Sequence, residues 1–237
     1  MYILALDTSG NVCSAAVLAD ERILCEKYVD NKKTHSVSIA PMADDCLAEA
    51  GIGVKDVGLF CCAAGPGSFT GIRIGAAMVK AFAQASGKPA AGVNTLDALA
   101  FNASGTDEYV CPVIDARRGE VYTSLYLRGE RVSGYRAVDI DTLLAELSGK
   151  RTVFLGDAAV SYRGRILAAS NGFRIAHPGI LLQRAGSVGL IAYAAYKRGE
   201  YEDAYTLEPY YLKESRPEQI LKEHDGADQS GVNEDGR

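Results

Sequence analysis

The chain has 237 residues, 48% of them apolar and 23% charged, with 25 Lys and Arg against 30 Asp and Glu. This composition fits an ordinary globular protein and excludes a disordered or collagen-like chain. A net charge of −5, with cations scattered as "NKK" at 31, "ARR" at 116 and "KR" at 197, argues against autonomous gripping of DNA or RNA, which calls for a basic stripe.

"YILALDTS" (2–9) is rich in aliphatics and predicts a buried strand. The N-terminus shows no basic stretch and no small-residue cleavage site. It carries Asp7 where a signal peptide stays apolar, so it reads as the mature first strand of a cytoplasmic protein. No apolar run reaches the ~20 residues needed to span a bilayer, so no membrane partner is expected. "CSAAVLAD" and "RILCEKYV" follow as a meander of strands. "THSVSIAPMADDCLAEAG" (34–51) has helical spacing, with Val37, Ala40, Ala43, Leu47 and Ala50 on one face and Gly51 as a stop. Pro41 either opens that helix or kinks it. "VGLFCCAA" (57–64) predicts a covered strand, and a glycine-rich turn leads into a helix ending near Ser86. "AAGV" and "TLDALAFNAS" add a short strand and a helix.

After "GTDE" (105–108) the pattern restarts. "YVCPVID", "EVYTSLYL" and "RVSGYRAV" read as three strands. "DIDTLLAELSG" reads as a helix capped by Asp139 or Asp141, "RTVFLG" as a strand, and "RAGSVGLIAYAAYKRG" (184–199) as an amphipathic helix. Each half runs strand–strand–strand–helix–strand–helix. We therefore expect two duplicated α/β lobes, at 1–105 and 106–222, followed by an acidic tail at 223–237 too poor in apolar residues to fold.

The six cysteines (Cys13, Cys25, Cys46, Cys61, Cys62 and Cys111) contain no C-x-x-C, which argues against a zinc knuckle or a thioredoxin motif. Cys61 and Cys62 read as small buried hydrophobes, and no disulfide framework is expected.

"AAGPGSFTGIRIGAAMV" (63–79) holds the chemical question. A phosphate-binding P-loop needs a second glycine five residues after the first, then Lys. Gly65 meets Thr70, Gly67 meets Ile72, and no Lys follows. A dinucleotide fingerprint from Gly65 and Gly67 also fails at Thr70, and a nucleophile elbow on Ser68 is flanked by Pro66 and Thr70 instead of glycines. His35, His177 and His224 offer no supporting triad. Two readings remain open for the turn: Ser68 or Thr70 caps its own helix, or the free N–H groups there accept an anion. Gly71 and Gly75 share one helix face, which implies close approach by another backbone, either the lobe's own sheet or a helix of another chain.

"ALDTSG", "THS…P", "AAGPGSFTGIRIG", "VNTLDALA", "DARRGEVY" and "PYYLKES" occur in that order between positions 4 and 215. Together they resemble the TsaB (YeaZ) family. The resemblance implies an actin-like (ASKHA) two-lobed α/β fold, with two duplicated βββαβα lobes. It also implies a role in forming N6-threonylcarbamoyladenosine in tRNAs that read codons starting with A. In that system TsaD-like relatives hold a metal with V-N-H-x-x-x-H. Here the matching stretch keeps Val93 and Asn94 but has Thr95 and Leu99 at the ligand positions, so neither a metal nor a catalytic residue is expected. Asp115 is followed by Ala116, Arg117 and Arg118 where related kinases keep glycines, which crowds any phosphate.

The resulting expectation is a non-catalytic scaffold. It would dimerise with a TsaD-like catalytic subunit, or with itself when alone, and work beside a TsaE-like small ATPase, with tRNA met only through the complex. The expected seam is Ile39, Met42, Ala43, Cys46, Gly71, Arg73, Gly75, Ala76 and Val79 on helices at about 34–50 and 70–86. No cofactor is expected on this chain alone. Asp7, Gly65, Gly67 and Ser68 are kept as a vestigial nucleotide contact, or one completed with ATP at a subunit interface. The competing readings are an actin-like ATPase or small-molecule kinase, motivated by Asp7 and the glycine turn, and a metallopeptidase, which Thr95 and Leu99 disfavour.

Overall fold

The structure, a computed structural model, describes residues 1–31 and 34–213. The acidic tail at 223–237 and the end of the second expected lobe lie outside them. The chain opens with strands β1 (Tyr2–Asp7), β2 (Cys13–Ala19) and β3 (Arg22–Val29), then helix α1 (His35–Glu49), β4 (Val57–Gly65), α2 (Phe69–Ser86), β5 (Ala90–Asn94) and α3 (Thr95–Phe101). It restarts with β6 (Tyr109–Asp115), β7 (Glu120–Thr123), the short pair β8 (Tyr126–Leu127) and β9 (Glu130–Arg131), and β10 (Arg136–Asp139). Helix α4 (Ile140–Glu146), β11 (Thr152–Leu155), α5 (Asp157–Ser161), α6 (Arg163–Ala169), β12 (Phe173–Ile175) and α7 (Ala185–Lys197) complete it.

The two sheets share one topology. The first is ordered β3-β2-β1-β4-β5 and the second β10-β7-β6-β11-β12, with β8 and β9 attached to the end of β6. In each, an antiparallel meander lies on one side of the first strand and parallel strands lie on the other. This is the duplication that the element order predicts.

The helices do not divide as simply. One face of the first sheet packs Leu4, Val17 and Phe60 against Ile39, Met42, Cys46, Ala76 and Val79 of α1 and α2. The other face packs Ile3, Ala16 and Leu59 against Ala185, Val188 and Ala192 of α7. Leu96, Leu99 and Ala100 of α3 pack instead with Val110, Ile114 and Val153 of the second sheet. Each half therefore contributes a helix to the other half's core, and residue 105 separates the sheets without separating the cores.

Local chemistry accounts for the boundaries. Ser68 caps α2 by accepting from Gly71 N–H at 3.3 Å, and Gly87 ends it at φ +63. Asp139, and not Asp141, caps α4, accepting from the N–H groups of Asp141 and Thr142. Pro41 lies inside α1, on its exposed side, where the carbonyl it leaves unpaired can face water. The buried face of α1 is only partly the expected one: Ala43 and Leu47 are buried as foreseen. Val37 is 71% exposed, Ala40 is exposed, and the larger Ile39, Met42 and Cys46 turn inward. Size outweighs count among small residues, because burying a long side chain removes more apolar surface from water. "EVYTSLYL" and "RVSGYRAV" are each broken into two elements, while α5, α6 and β12 were not foreseen.

The glycines of the 63–79 turn answer the question the sequence left open. A β-carbon on Gly71 would lie 2.0 Å from the Thr8 carbonyl oxygen, and one on Gly75 would lie 2.7 Å from Thr8 Oγ1. The backbone that approaches is the lobe's own β1–β2 connection. Thr8 Oγ1 also donates to the Gly71 carbonyl at 2.7 Å. Because the obstructing atom at Gly71 is backbone, Gly71→Ala should cost about 3 kcal/mol of folding stability. Gly105→Ala, where nothing lies within 4 Å, should be near neutral. Paired urea titrations check both, and equal midpoints would contradict the packing described here.

Candidate functional site at the cleft between the lobes

The turns that follow β1, β4, β6 and β11 meet in one cleft of about 1150 Å³. Ligands of open α/β sheets lodge at such carboxyl ends, where strand order reverses.

The first wall is built on β1. Asp7 ends that strand, fully buried, and its Oδ1 accepts from Ser9 N–H (2.9 Å) and Ser9 Oγ–H (2.6 Å). Its Oδ2 has no partner among the described residues. Burial raises the Asp7 pKa to about 6, with the Ser9 hydrogen bonds acting in the opposite direction. Ser9 and Gly10 line the cleft above it. His35 Nε2 donates to the Gly10 carbonyl at 2.7 Å, since a carbonyl can only accept. Gly67 and Ser68 also line the cleft, and Ser68 N–H donates to the Ser9 carbonyl at 2.7 Å. Gly65 does not line it, because its backbone is packed beneath the Tyr210 carbonyl.

The second wall comes from β6 and β11. Asp115 Oδ1 accepts from Arg117 N–H at 2.9 Å, and Asp157 Oδ1 accepts from Asp115 N–H at 3.2 Å. Burial raises the Asp157 pKa as well. Arg117 and Arg118 adopt φ +68 and +55 and extend into solvent at the cleft edge. The mouth is crossed by residues 210–213. Tyr210 N–H donates to the Ala64 carbonyl in the first lobe, and Lys213 pairs with Glu120 in the second.

This arrangement can accept an anion at the N-terminus of α2, in a cleft whose opposite wall carries Arg118. Within it the Ser9 hydroxyl donates to Asp7, the Ser68 hydroxyl accepts from Gly71 N–H, and His35 donates Nε2–H to a carbonyl while its Nδ1 has no partner among the described residues. Sequence reasoning noticed Asp115, Arg117 and Arg118, weighed His35 only as a triad member and "PYYLKES" only as part of the resemblance, and missed Asp157. "LGD" at 155–157 was the available signal: it repeats, after β11, the strand-to-helix glycine that follows β4. A β-carbon on Gly156 would lie 2.2 Å from the Val113 carbonyl oxygen.

The expected docking seam is corrected by the structure. Ile39, Met42, Ala43, Cys46, Ala76 and Val79 are at most 7% exposed and belong to the core under the first sheet. Gly71 and Gly75 face Thr8. Arg73 is exposed, but its guanidinium lies 3.8 Å over the Phe69 ring and its Nε donates to Tyr211 Oη at 3.0 Å. These positions assemble α1 and α2 onto their own sheet and leave no apolar surface of their own for a partner. The outward face carries Val37, Ala40, Ala77 and Ala81, flanked by the half-buried Ile74 and Met78.

The two positions aligned with the metal ligands lie away from any donor cluster. Asn94 caps α3 by accepting from Leu96 N–H at 2.9 Å. Thr95 is buried, and Leu99 packs in the α3 core with Val110. Among the described residues no group of three or more His, Cys, Asp and Glu could hold a metal ion. The residues present do not fit the metal that TsaD-like relatives hold.

The sequence pattern of the family described as TsaD: tRNA N6-adenosine threonylcarbamoyltransferase matches residues 24–151. The chain belongs to this family. Within it, the relatives are TsaB (YeaZ) proteins. The chain is 38% identical over 126 residues to the tRNA threonylcarbamoyladenosine biosynthesis protein TsaB of Bacillus subtilis, covering 53% of this chain and 55% of that protein. It is 37% identical over 133 residues to TsaB of Escherichia coli, covering 55% and 57%. The chain thus spans about half the length of the curated relatives it matches. YeaZ from Pseudomonas aeruginosa superposes with a TM-score of 0.75 at 28% identity, covering 89% of this chain and 99% of that one. A dehydratase activator from Clostridium difficile with bound ADPNP superposes at TM-score 0.52 and 9% identity over 84% and 97% of the two chains. That last likeness concerns the fold alone. Among the described residues no helix is long and apolar enough to cross a membrane.

The buried Asp7 gives a pH test. Its raised pKa means that ionisation is penalised in the folded state, so its contribution is fully present below its ordinary value near 3.8 and lost as pH rises through about 6. Asp7→Asn should remove that loss, raising stability at pH 8 relative to pH 4 by roughly 2–3 kcal/mol compared with the parent. Chemical denaturation at both values checks this, and identical pH dependence in the two proteins would contradict it.

Proposed function

We propose that this chain is a non-catalytic subunit that activates a TsaD-type partner in forming N6-threonylcarbamoyladenosine in tRNAs reading codons that start with A. The observation that carries the proposal is the pair Thr95 and Leu99. They stand where TsaD-like relatives have two metal-binding histidines, and they sit in a closed core. The names of the TsaB relatives point to the same modification. In this reading the chain binds no nucleotide alone, any ATP sits at a subunit interface, and a TsaE-like small ATPase completes the assembly in the cytoplasm. The tRNA is met through the complex.

The outward face of α1 and α2 is the surface we assign to the TsaD-type partner, or to a second copy when the partner is absent. Its small side chains permit close helix approach, and Val37 is 71% exposed for an apolar residue. Ala77→Arg and Ala81→Glu should each weaken association at least tenfold while leaving the monomer's melting temperature unchanged. Titration against a TsaD-type protein by calorimetry reads this, and unaltered affinity in both variants would move the surface elsewhere. The function is tested by reconstituting tRNA modification from a TsaD-type enzyme, its small ATPase and the threonylcarbamoyl-adenylate source. Omitting this chain should abolish turnover, and full activity without it would sink the proposal.

A further inference from the structure

Five of the six cysteines are buried, and Cys25 is the one that reaches solvent. Cys25 lies on β3, the outer strand of the first sheet, and Cys46 lies in α1, which packs across that strand. Their sulfurs are 3.4 Å apart, and Cys46 Sγ–H is also 3.4 Å from the Ala15 carbonyl. The remaining cysteines are differently placed. Cys61 and Cys62 are adjacent in β4, so their side chains point to opposite faces, and Cys111 Sγ contacts Thr123 Oγ1.

We propose that Cys25 and Cys46 are a redox modification site: a vicinal pair in space that closes to a disulfide when a low-molecular-weight disulfide is supplied, and reopens with a thiol. The two sulfurs already touch, and the bond needs them to close to ~2.05 Å, a shift that side-chain rotation on an edge strand can supply. The site has an entrance at Cys25 and a resolving thiol behind it. Burial first, and the neighbouring Cys25 next, push the Cys46 thiol up to about 12, so Cys25 is the group that attacks. The Cys25 thiolate displaces one thiol from the small disulfide, giving a mixed disulfide. Cys46 then attacks the Cys25 sulfur and releases the second small thiol. Two protein thiols are oxidised, one small disulfide is reduced to two thiols, and the two protons pass to those thiols. Lys27, which pairs with Asp45 at 2.7 Å, favours the Cys46 thiolate during that second step. The closed bond would clamp α1 onto the edge strand.

The test uses the folded full chain and oxidised glutathione, followed by thiol blocking, trypsin and intact-mass analysis. The parent protein should lose two hydrogens, retain no glutathione, and yield peptide 23–27 linked to peptide 34–55, with dithiothreitol restoring both. Cys46→Ala should instead stop at one stable glutathione on Cys25. Cys25→Ser should not react at Cys46 on the same timescale. A parent protein that keeps its glutathione, stays fully reduced, or links any other pair of cysteines overturns the proposal.

Discussion

The Thr8 carbonyl oxygen occupies the space where residue 71 would carry a β-carbon, and much of the first lobe depends on that contact. It joins the end of β1 to the first turn of α2, so the helix enters the sheet at a fixed height. From there Ile72, Ala76, Val79 and Ala83 fall on the core face at helical spacing. Any side chain larger than hydrogen at 71 would separate the two backbones and tilt α2 away. The same junction sets the cleft, because Ser9, next after Thr8, and Ser68, three residues before Gly71, are joined by a backbone hydrogen bond and form its wall.

The second lobe solves the same geometric problem with different residues. Gly156 lets the β11–α5 turn pass against the Val113 carbonyl, much as Gly71 lets α2 pass against Thr8. Both lobes then end their first strand with an aspartate, Asp7 and Asp115. Their environments diverge. Asp7 is sealed under Ser9, whereas Asp115 is drawn into a loop with Arg117 and the half-buried Asp157. A shared fold thus carries two unlike walls.

The layering ties the two lobes together. α3 and α7 each pack with the other half's sheet, so separating the lobes would expose two cores together. Asp97 on α3 also accepts from Tyr126 Oη–H (2.5 Å) and Tyr135 Oη–H (2.6 Å) of the second half. Residues 210–213 add a tie at the mouth, through Ala64 on one side and Glu120 on the other. These connections join the lobes on both sides of the cleft.

The sequence by itself determined the element order, the doubling of the α/β pattern and the failure of the glycine turn as a P-loop, because periodicity and motif spacing are local properties. It also determined that Thr95 and Leu99 cannot replace two histidines, since that follows from donor chemistry alone. Which backbone approaches Gly71, which face of α1 turns inward, and which lobe owns α3 and α7 were decided only by tertiary structure. A pattern of small residues marks a close approach without naming the neighbour, and Ile39, Met42 and Cys46 look the same on a docking face as in a core. The opposing surface distinguishes them. For these residues it is the chain's own first sheet, as where Cys46 meets the Ala15 carbonyl 31 positions away, so no local window could contain it.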